Sequence, residues 1–329
     1  MVNFKRASTE IGNRFLELLK KYQINPPCGS YIEDELLSLT RLIEITKNPN
    51  LVCDEESKSV LSFAAGLHDL AAKILSVESL PEFKEFLPHL RLIAATKIPK
   101  ASLRQNGKSD IRDDTSRKIT ELYLACLAAH IGTDVLLDHP TNSKGDNPDI
   151  IFTAEIDGFS AQRWTFAIKS ISSKQGQTIY ERIKEAGNQI NHANCEAEYG
   201  MVIINTKDAL DHDALWNPSV SFKSLEEAKS ALLNQLKQFA EDAIYNRPKA
   251  DWDEIFVEKV VRPVIFMGQS LVKLTTDFSD QTPTQLKMLL IFEADGEVDP
   301  IGFNIATYMN EFMQHILLGI PGKKGHLPR

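Results

Sequence analysis

The sequence has no apolar run approaching the roughly 18 residues that a membrane-spanning helix requires. Its opening stretch, MVNFKRASTEIGNRFLELLKKY, interrupts the apolar positions with charge every few residues. Neither a membrane span nor a signal peptide is expected from that pattern. Cysteine is scarce: Cys28, Cys53, Cys126 and Cys195 are widely scattered, with none of the short spacings used by zinc sites or small disulfide scaffolds. Reduced thiols in a cytoplasmic protein are the expectation. An excess of positive charge is also missing. The formal net charge is -8, so there is no whole-protein footprint for phosphate, which is attracted by clustered Lys and Arg. Only a local basic groove is left for a nucleic acid, and Lys169, Lys174, Arg182 and Lys184 form such a cluster in the sequence.

Other chemistries are excluded by absent motifs. There is no Gly-rich phosphate loop and no Gly-x-Ser-x-Gly elbow. His68 and Asp69 could open a metal phosphohydrolase set of the His-Asp type, but His89 is the only other histidine nearby and no second spaced set follows. The pair is therefore read as lying on a helix surface. The basic C-terminal segment PGKKGHLPR is read as a frayed end.

What is present is an ordinary globular balance, 43% hydrophobic and 25% charged residues, in a chain long enough to bury a sizeable core. From residue 9 to about 98 the apolar positions recur at three- and four-residue intervals, as with Ile11, Phe15, Leu18 and Leu19. Further helices are expected at 32–46, 56–77 and 81–95. The polar, basic stretch 97–114 reads as a linker. An all-helical N-terminal domain is thus expected over 1–110 and a second domain over 111–329.

The second domain is expected to be mixed α/β. A helix at about 115–131 precedes a short strand near Val135–Leu137. The alternating runs DIIFTAEI (149–156) and RWTFAIKS (163–170) then read as a hairpin about DGFSAQ. A helix at 177–193, a strand at 200–205, a helix at 223–245, strands near 261–273 and 285–294, and a helix at 301–318 complete the pass.

Alternation places Asp149, Ile151, Thr153 and Glu155 on one face of the first hairpin strand. Arg163, Thr165, Ala167 and Lys169 share a face of the second. A symmetric fold-back sets Asp149 opposite Ser170 and Lys169 opposite Ile150, within one residue of facing each other. Glu155 is roughly 20 Å along the strand from Asp149 and cannot share an ion with it. On the preceding helix Glu121 has Ala125 and Ala128 as its neighbours, small residues that permit close approach to a sheet. On the following helix Ile179, Ile183, Ala186, Ile190 and Ala193 form a buried stripe flanked by Arg182 and Gln189, with Glu185 intermediate.

The run GDNPDIIF (145–152) followed by WTFAIKS (164–170), with ELYLA (121–125) upstream and ERIKEAGNQI (181–190) downstream, resembles the PD-(D/E)XK nuclease superfamily over 118–193. The resemblance implies a restriction-endonuclease-like mixed sheet flanked by helices, here preceded by the all-helical region. It implies Asp149 as a metal-ligating aspartate, Lys169 as the lysine that positions or activates the attacking water, Glu121 as the helical glutamate and Gln189 as the polar residue of the next helix. Ala167 stands where the family has its second strand acid. Glu121 or Glu185 is then left to supply the missing ligand, Glu121 being preferred. Lys174 and Arg182 would meet substrate phosphate. Mg²⁺ or Mn²⁺ is the implied cofactor, since one or two carboxylates suffice for a hard cation that keeps its own waters.

The implied activity is cleavage of DNA or RNA, with prokaryotic defence as the setting. The N-terminal helices are left for a homo-oligomer or a protein partner. The alternative is a catalytically inactive nuclease-like module that binds nucleic acid or protein.

Overall fold

The computed structural model describes residues 4–47, 55–95, 114–141, 147–156, 158–217, 219–275 and 281–314. Four helices come first: α1 (Phe4–Lys21), α2 (Tyr31–Lys47), α3 (Glu55–Val77) and α4 (Phe83–Ala95). They coincide closely with the segments whose apolar positions repeat at helical spacing. Ile11, Phe15, Leu18 and Leu19 are all buried, as an amphipathic stripe requires. The domain division at 110/111 and the linker at 97–114 lie outside the described residues, apart from Asp114, which opens α5 (Asp114–Ile131).

After α5 come β1 (Gly132–Leu137), β2 (Ile150–Ala154), β3 (Gln162–Ser170), α6 (Gly176–Ile190) and β4 (Tyr199–Asn205). Then follow α7 (His212–Leu215), α8 (Leu225–Ile244), α9 (Lys249–Asp253), β5 (Val264–Thr275), β6 (Gln281–Phe292) and α10 (Pro300–Gln314). The fold is α/β, with one six-stranded mixed open sheet in the order β1-β2-β3-β4-β5-β6. Strands β3, β4 and β5 run parallel to one another, and the pairs β1–β2, β2–β3 and β5–β6 are antiparallel. The basic tail from residue 315 onward lies outside the described residues.

Helices cover both faces of the sheet. One face packs against α5, α10 and, beyond them, the N-terminal helices, in a buried cluster continuous from α1 through Phe152 and Trp164 to Met267. The other packs against α6 and α8, around Ile179, Ile183, Leu232 and Leu236. This double cover explains why β4 is buried along nearly its whole length, as expected for a central parallel strand. Helix α6 is seated tightly: a Cβ on Gly176 would stand 1.9 Å from the carbonyl oxygen of Asp242 in α8, so only glycine fits there.

Two expectations need correction. Helix α6 ends at Ile190, and Ala193 is exposed instead of extending the stripe. His68 and Asp69 are both buried, not on a helix surface. Asp69 accepts hydrogen bonds from Lys287 Nζ at 2.7 Å and from Tyr123 Oη at 2.9 Å, and Lys73 Nζ lies 3.7 Å away. Helix α3 is buried on every side from Ala64 to Val77, so no solvated face is left for the pair. A carboxylate can stay there because cations from β6 and from its own helix neutralise it.

Candidate functional site

The hairpin that carries the candidate residues is built differently from its symmetric form. Ile150 pairs with Phe166 and Ala154 with Gln162, so the register is displaced by three residues from the pairing of Ile150 with Lys169. The cause is the burial of Ile156. Strand β2 stops at Ala154, and Ile156 leaves the ladder to bury itself in the core, which lengthens the connection before Gln162. One step beyond the last pair, Asp149 therefore stands across from Ala167 and not from Ser170.

Pro148 cannot donate to the ladder, and at this point the ladder ends. The Asp149 side chain takes the place of the next backbone acceptor: its Oδ2 receives the Ile168 N–H at 2.6 Å. A buried backbone donor is thereby satisfied, and the carboxyl is fixed at the end of β2. Asp149 and Lys169 are both buried.

Helix α5 lays Glu121 over this strand end. Ala125 and Ala128 are fully buried beside it, and Glu121 itself has no exposure. Its Oε2 accepts from Lys118 Nζ at 2.7 Å and lies 3.1 Å from Nε2 of His89. Arg117 Nε sits 3.2 Å from Oε1 without hydrogen-bond alignment, leaving Oε1 buried and without a hydrogen-bond partner among the described residues.

The Glu121 and Asp149 carboxyls are close enough to act on each other electrostatically. Burial first, and then repulsion from Glu121, pushes Asp149 up to about 7. Glu121 is also raised by burial, against the pull of Lys118. Asp149 is the member of the pair that keeps a proton nearest to neutrality, since Lys118 and Arg117 stand beside Glu121. Burial, and then Lys118, pushes His89 down to about 3, and Nε2 is the ring nitrogen that faces Glu121 Oε2.

The remaining candidates are dispersed. Alternation along β3 turns Lys169 to the α6 side, where its Nζ donates to Glu185 Oε1 at 2.8 Å. Glu185 Oε2 in turn accepts from Arg182 at 2.6 Å. Glu185 is thus half-exposed, held by two cations, and on the opposite sheet face from Glu121; it does not join Asp149. Gln189 stands one turn farther along α6, about 6 Å along the axis, again on the face away from α5. Lys174 is exposed in the segment before α6. Lys169 still lies close enough to Asp149 to favour its charged form.

Three residues at the pair were not singled out from the sequence. Lys118 and Arg117 were legible as cations three and four residues before Glu121, the spacing of ion pairs on one helix face. His89 carried no such signal, since it comes from α4. A further polar link, Asn205 Nδ2 to Thr120 Oγ1 at 3.0 Å, joins the end of β4 to the turn of α5 that bears Glu121.

Among the described residues no group of three or more His, Cys, Asp and Glu is arranged to hold a metal ion. No helix among them is long and apolar enough to cross a membrane. No protein-family model, curated protein or solved structure matches the chain.

Proposed function

We propose that the chain is a metal-dependent nuclease of the PD-(D/E)XK type, with a restriction-endonuclease-like core formed by α5, β1, β2, β3, α6 and β4. The observation that carries this reading is the meeting of Asp149, at the start of β2, with Glu121, from the helix before the sheet, in one buried carboxyl pair beside the end of the strand that bears Lys169. Residues far apart in sequence converge there, and burying two acids together costs stability that packing alone gives no reason to accept.

The donor set fits a hard divalent cation. Both groups are carboxylates, and Glu121 Oε1 is a buried oxygen without a hydrogen-bond partner among the described residues. Glu121 and Asp149 would hold Mg²⁺ or Mn²⁺, which supplies polarisation of the phosphate and a bound water of lowered pKa. Releasing the Asp149 proton leaves both carboxylates free to ligate. Lys118 offsets their charge, and Lys169, braced by Glu185, stands ready for the developing charge on phosphorus.

A second reading is favoured by one specific feature. Ala167, across from Asp149, is a methyl group buried in the α6 cluster, so the strand acid of the family is absent. On this reading the core is an inactive module that binds nucleic acid or a protein. Incubation with plasmid DNA, single-stranded DNA and tRNA, in Mg²⁺, Mn²⁺ or EDTA, separates the two. The nuclease reading expects metal-dependent cleavage that is lost in Asp149→Asn. Retarded migration of an intact nucleic acid with no cleavage of any substrate supports the module instead.

A further inference from the structure

We propose that His89, on helix α4 of the N-terminal layer, is a positioning residue for Glu121, so that the helical layer completes the site. The inference rests on the proposed nuclease reading for its consequence, and on geometry for its substance. Lys118 and Arg117 reach Glu121 from α5 itself and move with it. His89 approaches from a different helix, one that packs on both α5 and β1, and its Nε2 lies 3.1 Å from Glu121 Oε2.

The imidazole is an expensive group for mere packing. It is fully buried, and its Nδ1 has no hydrogen-bond partner among the described residues. A leucine would fill a similar space with no orphaned nitrogen. The polar ring gains its one described bond from Glu121, and that bond ties the carboxylate to α4. A ligand carboxylate whose direction is set by such an outer partner binds metal better than a free one.

The two amide side chains give a discriminating test in the full-length chain. The amide nitrogen of Gln overlays Nε2 of His, whereas that of Asn overlays Nδ1. The proposal expects the ¹³C signal of the Glu121 carboxyl, assigned through Glu121→Gln, to stay near its wild-type position in His89→Gln and to move in His89→Asn. Mn²⁺ affinity, titrated in the same samples, is expected to drop about 10- to 100-fold in His89→Asn and to stay within about threefold in His89→Gln.

Indistinguishable behaviour of the two folded variants overturns the proposal. Should His89→Asn fail to fold, the wild-type imidazole ¹⁵N shifts decide: a protonated Nε2 with a bare Nδ1 is expected, and the reverse tautomer overturns it. Failure of the nuclease reading looks different. The carboxyl signal then follows the expected pattern while the wild-type protein cleaves no nucleic acid.

Discussion

Asp149→Asn reads the buried carboxyl pair most directly. Asparagine keeps the volume and keeps an oxygen to accept from Ile168 N–H, and it removes one of the two acids. In the folded chain Asp149 is raised from the usual carboxylate range to about 7. At about 1.4 kcal/mol per unit the ceiling is ~4 kcal/mol. Coupling to Glu121 brings the expected effect to roughly 2–4 kcal/mol.

The sign follows from proton binding. The folded state holds a proton that the unfolded chain has already released between about pH 4 and pH 7, so the folded state binds more protons there and stability falls as pH rises. The contribution is fully present below the unfolded pKa and is lost as pH passes through about 7. Asp149→Asn lacks this titration. Urea unfolding of both proteins in EDTA, at several pH values from about 5 to 8.5, should show the variant gaining on the wild type by roughly 2–4 kcal/mol across the range. A difference that stays flat with pH refutes the proton held on Asp149, whatever its size.

Mn²⁺ titration by calorimetry should show Glu121→Ala and Asp149→Ala weakened by similar factors and Glu185→Ala unchanged, because Glu185 lies across the sheet with Lys169 and Arg182. An intact affinity in Glu121→Ala removes it from the site. Lys169→Met removes one partner of Glu185, which is half-exposed and still held by Arg182, so stability should change by about 1 kcal/mol or less while cleavage falls by about 100-fold or more. Cleavage at the wild-type rate would falsify its role. Ala167→Glu, which supplies the strand acid of the family the sequence resembles, should lower stability by about 3 kcal/mol or more, since the carboxylate enters the apolar cluster of α6 and α8. A melting temperature close to that of the wild type would show that position 167 does not face this cluster.

Much of the scaffold was legible in the residues themselves. The helices α1 to α5, the alternation of β2 and the long apolar run of β4 follow from local periodicity, because burial of one face at 3.6 or 2 residues per repeat is written into neighbouring positions. The candidacy of Glu121 was legible too, since Ala125 and Ala128 mark a helix face that can lie close to a sheet. The hairpin register was not. It depended on where Ile156 found a buried place, and that is decided by the core and not by the turn residues.

The same division separates the site residues. That Lys118 pairs with Glu121 is a matter of one helical turn, and the sequence alone determines it. That Lys169 turns to Glu185 while Asp149 turns to Glu121 was decided by the tertiary structure, which placed α5 and α6 on opposite faces of the sheet. His89 reaches Glu121, and Asp69 reaches Lys287, only because the N-terminal helices pack on that same sheet face. Partners of this kind are set by the docking of whole elements. No local pattern encodes them, because the free energy that brings them together comes from apolar surface elsewhere in those helices.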